Sequence, residues 1–135
     1  MADRCAIENT LASWALGYDQ REPERMERCF TPDAELIMDI GGTETMGPYI
    51  GRAEVMRHFT EHHEVQTDQR RHITTNVVVD EETEDTASVV SCLTLLVTEN
   101  NVIRLQASGL YRDQFVKTDV GWQIRRRRIE LDIHY

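Results

Sequence analysis

The sequence predicts an α+β fold in which a curved, mostly antiparallel β-sheet forms a cone around helices from the N-terminal half. Three observations carry this. Helical periodicity is confined to the first half of the chain, stretches rich in Val, Thr and Ile dominate the second, and short polar turns separate those stretches at hairpin spacing. A long antiparallel meander with one covered face must curl around whatever covers it. Such a sheet can leave a small-molecule cavity between helix and strands. At 135 residues, residues 1–135 are expected to form one domain.

The elements follow in order. Asp3 is suited to cap a helix in which Ile7, Leu11, Trp14, Ala15 and Tyr18 recur at three- and four-residue spacing, ending near Asp19. Glu22-Pro23 restarts a short second helix with Pro in its first turn and Met26 and Phe30 on its buried side. Thr31-Pro32-Asp33 is a turn, and Ala34 to Ile40 a strand that Gly41-Gly42 breaks. The stretch from there to Gly51 is loop or edge strand, and Arg52 to about Glu64 is helical with Val55, Met56 and Phe59 on one face. Four strands follow: Arg70 to Val79, Thr86 to Thr98, Val102 to Phe115 and Trp122 to Leu131. They are joined by an acidic turn at Glu81 to Glu84, a hairpin at Glu99-Asn100-Asn101 and a turn at Thr118 to Gly121.

Strict alternation leaves the faces of these strands open. His72, Thr74 and Asn76 share one side, and Ile73, Thr75, Val77 and Val79 the other, which is the more hydrophobic. Alternation also groups Leu105, Ala107, Gly109, Tyr111 and Phe115, opposite Gln106 and Ser108. It puts Arg126 and Arg128 on the side of Trp122 and Ile124, where one of them can enter a pocket and meet an anionic group.

Composition excludes several classes of function. A formal net charge of −9 disfavours nucleic acid, and the block Arg125-Arg126-Arg127-Arg128 reads as a solvated or salt-bridged strand face. Cys5, Cys29 and Cys92 show no CxxC spacing and fit free thiols in a reducing cytoplasm. The N-terminal residues carry no apolar signal core. The longest apolar-rich run, Ala87 to Val97, is too short and too broken by Ser and Thr to span a bilayer, so no membrane association is expected. His58 to His62 matches H-x-x-E-H, but a zinc-peptidase site needs a third ligand and a cleft in a larger body. With no Gly-rich phosphate loop either, neither a metal nor an organic cofactor is expected.

Tyr18-Asp19, then Cys29 to Ala34, the helix start at Gly51 to Phe59, and the closing Gly121-Trp122-Gln123-Ile124 followed by arginines stand in an order that resembles the SnoaL-like, or nuclear transport factor 2-like, families. Scytalone dehydratase, bile-acid dehydratases and hexachlorocyclohexane dehydrochlorinase are among them. The resemblance covers nearly the whole chain and implies a cystatin-like α+β barrel. It also implies a working pair of an aspartate at the end of the first helix and a histidine in the strand after the third, which match Asp19 and His72, with Tyr18 matching the tyrosine beside the aspartate. Two positions depart from scytalone dehydratase. Met38 stands where a second tyrosine is expected, and a second histidine has no counterpart, Gln106 lying nearby.

The chemistry of the pair is coherent without the family. A carboxylate at a helix C-terminus faces the negative end of the dipole and seeks a donor. His72 can supply one ring N–H, leaving the other nitrogen to accept a proton while the carboxylate fixes the tautomer. The expectation is therefore a cofactor-free lyase or isomerase, of dehydratase or cyclase type, acting on a small, mostly apolar or polycyclic molecule. The catalytic candidates are Asp19, His72 and Tyr18. Substrate-binding candidates are Trp14, Leu36, Met38, Met56 and Phe59 as wall, Tyr49 at the mouth, and Asn76, Gln106 and Arg128 as polar contacts. Two alternatives stand beside it: a non-catalytic partner similar in outline to the small subunit of ring-hydroxylating dioxygenases, and a ligand-binding module. A homodimer or homotrimer is expected, because the outer sheet face carries apolar residues.

Overall fold

The computed structural model describes residues 2–133. Helix α1 (Arg4–Asp19) starts as expected, with the Asp3 carboxylate accepting from the Ala6 N–H at 3.0 Å, and buries Ile7, Leu11, Trp14 and Tyr18. Helix α2 (Pro23–Glu27) turns back beneath it. Their approach is tight at Gly17, where a Cβ would lie 2.8 Å from the Met26 Cγ. Strand β1 (Phe30–Ile40) begins four residues before the predicted start, because the backbone through Thr31 to Asp33 is extended rather than turned. Strand β2 (Glu44–Ile50) is an edge strand. Helix α3 (Arg52–Val65) and strands β3 (Gln69–Glu82), β4 (Thr86–Glu99), β5 (Val102–Thr118) and β6 (Gly121–Leu131) complete the chain.

The six strands form one curved, unclosed sheet in the order β2-β1-β6-β5-β4-β3. Every pairing is antiparallel except β1 with β6. Helix α1 packs against β3 and β6, and α3 against β1 and β2, so the concave face is covered by helices. The β4–β5 hairpin turns through Asn100 and Asn101, both at positive φ (52° and 65°), the pair of left-handed residues that a two-residue hairpin loop requires.

Three β-bulges decide which side chains face inward, and each overturns an expectation based on strict alternation. In β3 the register slips between Thr75 and Val78, and Asn76 adopts φ 55°. His72 and Thr74 point to the concave side before the slip, and Val77 and Val79 after it. Neither of the two predicted faces is the inner one along its whole length, and Asn76 is exposed rather than pocket-lining. In β5 the extra residue is Gln106, so Leu105 points outward, 66% exposed, while Ala107, Tyr111 and Phe115 are buried. In β6 the extra residue is Arg125, and the inward series becomes Trp122, Ile124, Arg127, Ile129 and Leu131. The arginine inside is therefore Arg127. Arg126 and Arg128 lie on the outer face, where Glu35 and Asp39 pair with them.

The basic block is neutralised throughout. Arg125 meets Asp33 at 3.0 Å, Arg126 meets Glu35 at 3.1 Å, Arg127 meets Asp113 at 2.8 Å and Arg128 meets Asp39 at 2.6 Å. Among the described residues no helix is long and apolar enough to cross a membrane.

Candidate active site

The end of α1 is held by donors from elsewhere in the fold. The Gln69 carboxamide donates to the Asp19 carbonyl at 2.9 Å, and a His63 ring nitrogen lies 3.1 Å from the Tyr18 carbonyl. Arg21 donates to the carbonyls of His63 and Gln66, tying this end of α1 to the end of α3. These contacts satisfy carbonyls that a helix end otherwise leaves open. They also fix Asp19, which is buried, against β3.

Asp19 and His72 meet there. The His72 ring Nδ1 lies 2.6 Å from Asp19 Oδ1, and the His72 backbone N–H donates to Asp19 Oδ2 at 2.9 Å. The side chains are 8% and 3% exposed. A carboxylate can only accept from Nδ1, so Nδ1 carries the proton and Nε2 is the basic nitrogen when the ring is neutral. The ring packs edge-on to Trp14 and Tyr18, with centroids 5.5 and 4.6 Å away. Tyr18 donates its hydroxyl to the Gln66 side-chain oxygen at 3.1 Å.

His72 lines an inner cavity of about 50 Å³, walled by Trp14, Tyr18, Met38, Phe59, Leu93, Leu95, Tyr111, Ile129 and Leu131, with His58, His62 and Arg70 as its further polar members. An outer hollow of about 440 Å³ adjoins it, sharing Met38, His62, Arg70 and Leu131 and adding Gln106 and Glu44. On its other side the dyad borders a groove of about 350 Å³ between α1 and β3.

Of the residues predicted from sequence, Trp14, Tyr18, Met38 and Phe59 surround the cavity with His72, and Gln106 stands in the outer hollow. The others lie elsewhere. Leu36 is fully buried in the core behind the cavity wall. Met56 packs on that core from α3. Tyr49, on the edge strand, stacks against the His58 ring at 4.6 Å instead of closing the mouth. Asn76 and Arg128 face away, for the bulge reasons given above.

Four features escaped the sequence reading. His58 and His62 reach the cavity from one face of α3, and their i, i+4 spacing was visible only as a metal pattern. Burial, with the His62 charge, lowers the His58 pKa to about 4. Arg70 stands two residues before His72 and pairs with Asp68 at 3.1 Å. Tyr111 is a wall residue. Arg127 makes a two-pronged pair with Asp113 at 2.8 and 3.0 Å, both side chains fully buried. Its guanidinium packs over the rings of both Trp14 and Tyr111, at 4.7 and 4.0 Å. Burial opposes the Arg127 charge, yet Asp113 outweighs it and holds the arginine pKa above its ordinary value.

A curated relative, an uncharacterised protein of Mycobacterium tuberculosis, is 29% identical over 131 residues, which is 94% of this chain and 84% of the relative. Two solved structures from Novosphingobium aromaticivorans superpose well. One, provisionally assigned as a scytalone dehydratase, has a TM-score of 0.76 at 23% identity over 96% of this chain and 87% of that one. The other is the β-subunit of a provisionally assigned aromatic-ring-hydroxylating dioxygenase, with a TM-score of 0.82 at 16% identity over 98% and 90%. At these identities the two share the fold alone, which a Nostoc punctiforme neighbour shows as cystatin-like. The profile of the SnoaL-like domain matches residues 1–128, and the chain belongs to that family.

Proposed function

We propose that this chain is a cofactor-free lyase or isomerase in which His72, oriented by Asp19, removes a proton from a small, mostly apolar substrate. The observation that carries the reading is the buried dyad itself: both carboxylate oxygens serve His72, and the ring opens on an aromatic-walled cavity. Asp19 orients the ring and holds its tautomer, leaving Nε2 toward the cavity side as the proton acceptor. At about 50 Å³ the inner cavity is well below the roughly 150 Å³ that admits a benzene ring. The reacting end of the substrate therefore sits inside, and its body occupies the outer hollow. Elimination completes a dehydratase-type reaction, and return of the proton elsewhere completes an isomerisation or cyclisation.

A probe that does not depend on the natural substrate tests this. 2-Tetralone offers an acidic C–H beside a ring, and its exchange in deuterium oxide is followed by NMR. The expected result is exchange accelerated by the wild-type chain and abolished in His72→Ala. Exchange no faster than buffer, or unchanged in the variant, refutes the proposal.

The fold likeness to a dioxygenase β-subunit supports a second, non-catalytic reading as a partner of a larger oxygenase subunit. Co-purification with an iron–sulfur protein favours that one. A pocket that only holds a ligand is the third reading, and a silent exchange assay with tight ligand binding favours it. Under each, the free thiols of Cys5, Cys29 and Cys92 support a cytoplasmic setting. The outward Ile103 and Leu105, 70% and 66% exposed, support a homodimer or homotrimer.

A further inference from the structure

Two of the histidines that line the inner cavity hold their protons in the same way. His72 keeps its proton on Nδ1 against Asp19. His62 keeps its own on Nδ1 against the His58 carbonyl at 2.9 Å, since a carbonyl can only accept. Nε2 is therefore the working nitrogen of both rings, and among the described residues His62 Nε2 has no hydrogen-bond partner. The two reach the cavity from different flanks: His72 from β3, which α1 covers, and His62 from α3, which packs on β1 and β2 at the other end of the sheet. A hollow too small for a benzene ring admits only a few substrate atoms, and both rings belong to the wall around them.

The other polar members of that wall are poorer proton donors near neutral pH. Burial lowers the His58 pKa to about 4, so His58 stays neutral. Arg70 keeps its charge and pairs with Asp68. Phenols such as Tyr18 and Tyr111 release a proton only at about pH 10, and Tyr18 donates to Gln66. An imidazole both holds and releases a proton in the neutral range. His62 is also exposed and lines the outer hollow as well as the inner cavity, so water can recharge it after each turnover.

We propose that His62 is the general acid that completes the reaction His72 begins: its Nε2–H protonates a hydroxyl leaving from the carbon next to the one that His72 deprotonates. This rests on the dyad reading above and supplies the acid of its elimination branch. His72 Nε2 takes the proton of a C–H beside a carbonyl, and the electron pair of that bond forms the C=C bond. The C–O bond breaks, and the oxygen leaves as water with the His62 proton. His62 ends neutral and His72 ends as imidazolium. Exchange with water resets both, and the net change is loss of one water with no oxidation or reduction. Hydroxide is a poor leaving group, and an acid positioned at it typically contributes about 10²–10⁴-fold in rate.

The test compares two leaving groups. In 3-hydroxy-1-phenylbutan-1-one the reacting end is small and the ring suits the outer hollow. In 3-chloro-1-phenylbutan-1-one the chloride leaves without a proton. Both give 1-phenylbut-2-en-1-one, which is followed by absorbance. The wild-type chain is expected to accelerate both eliminations over buffer. His62→Gln is expected to lose about 100-fold or more on the hydroxy compound and far less on the chloro compound. His72→Ala loses both reactions, because both begin with the same proton. A wild-type chain that expels chloride but not water overturns the proposal, and so does a His62→Gln variant that slows both reactions equally or neither. Should His62→Gln fail to fold, His62→Asn decides by the same ratio. Loss in His72→Ala with no selective loss at His62 overturns this proposal and leaves the dyad standing. A chain silent on both compounds overturns the two together.

Discussion

Both carboxylate oxygens of Asp19 are engaged by His72, Oδ1 by the ring Nδ1 at 2.6 Å and Oδ2 by the backbone N–H at 2.9 Å. An asparagine cannot reproduce this. If its single oxygen accepts from the backbone N–H, its NH₂ faces Nδ1 and drives the ring proton to Nε2, which removes the base. Asp19→Asn is therefore expected to fold normally and to lose about 10²–10⁴-fold in proton-abstraction rate. ¹⁵N NMR of the ring should show the proton moved from Nδ1 to Nε2. Retention of both the rate and the tautomer would sink the dyad mechanism.

The buried pair of Arg127 and Asp113 calls for a stability measurement. Removing one partner strands a charge in a site with no exposure. Asp113→Ala is expected to cost about 3–5 kcal/mol in denaturant unfolding, whereas Asp113→Leu with Arg127→Met should cost far less, or nothing. A single variant as stable as wild type would show the pair to be energetically idle.

His58 predicts a pH effect. Its pKa falls to about 4 in the folded chain through burial, against an ordinary value near 6.5. The unfolded chain therefore binds the proton first as pH drops. The stability contributed by keeping His58 neutral is full above about pH 6.5 and is lost as pH falls toward 4. His63, lowered in the same direction by burial and by Arg21, adds to the trend. His58→Phe should flatten the pH dependence of the thermal midpoint between pH 6.5 and 4. An equally steep curve in the variant would assign the effect to other groups.

Asn76 sits at φ 55° where β3 slips register. Asn76→Gly should be nearly neutral, and Asn76→Val should cost about 1–3 kcal/mol, because a β-branched residue is strained in the left-handed region. Chemical denaturation of the pair of variants measures this, and equal stabilities would contradict it.

The proposed self-association can be read by sedimentation. Leu105→Glu with Ile103→Glu is expected to convert a dimer or trimer into a monomer without unfolding it, since both side chains point to solvent in the isolated chain. A wild-type monomer at micromolar concentration would refute the assembly.

Much of this architecture was legible in the sequence because it rests on local signals. The Asp3 cap, Pro23 in the first turn of α2, the Gly41-Gly42 break and the Asn100-Asn101 hairpin each fix the backbone through their own chemistry. Asp19 with His72 was legible by resemblance and by the demand of a helix end for a donor. The inward set was not legible beyond the bulges. One inserted residue at Asn76, Gln106 or Arg125 exchanges the two faces of a strand, and a period of two carries no mark of the slip. That is why Arg128 was chosen and Arg127 missed. His58 and His62 were missed as cavity residues for another reason: a helical face is assigned by its apolar members, and the packing of α3 over β1 and β2 turns these two inward beside Phe59.

The parallel seam between β1 and β6 has a consequence for the birth of the molecule. On the ribosome, β1 emerges early and can zip only to β2. The strand that seals its other side follows roughly eighty residues later, a wait of several seconds at ordinary translation speeds. Until then the nascent chain trails an unpaired, partly apolar border of the kind that chaperones bind and that neighbouring polysomal chains can capture. The sheet is thus completed only when β6 arrives, and truncations that spare every residue of the dyad but remove β6 should yield aggregate rather than a folded chain.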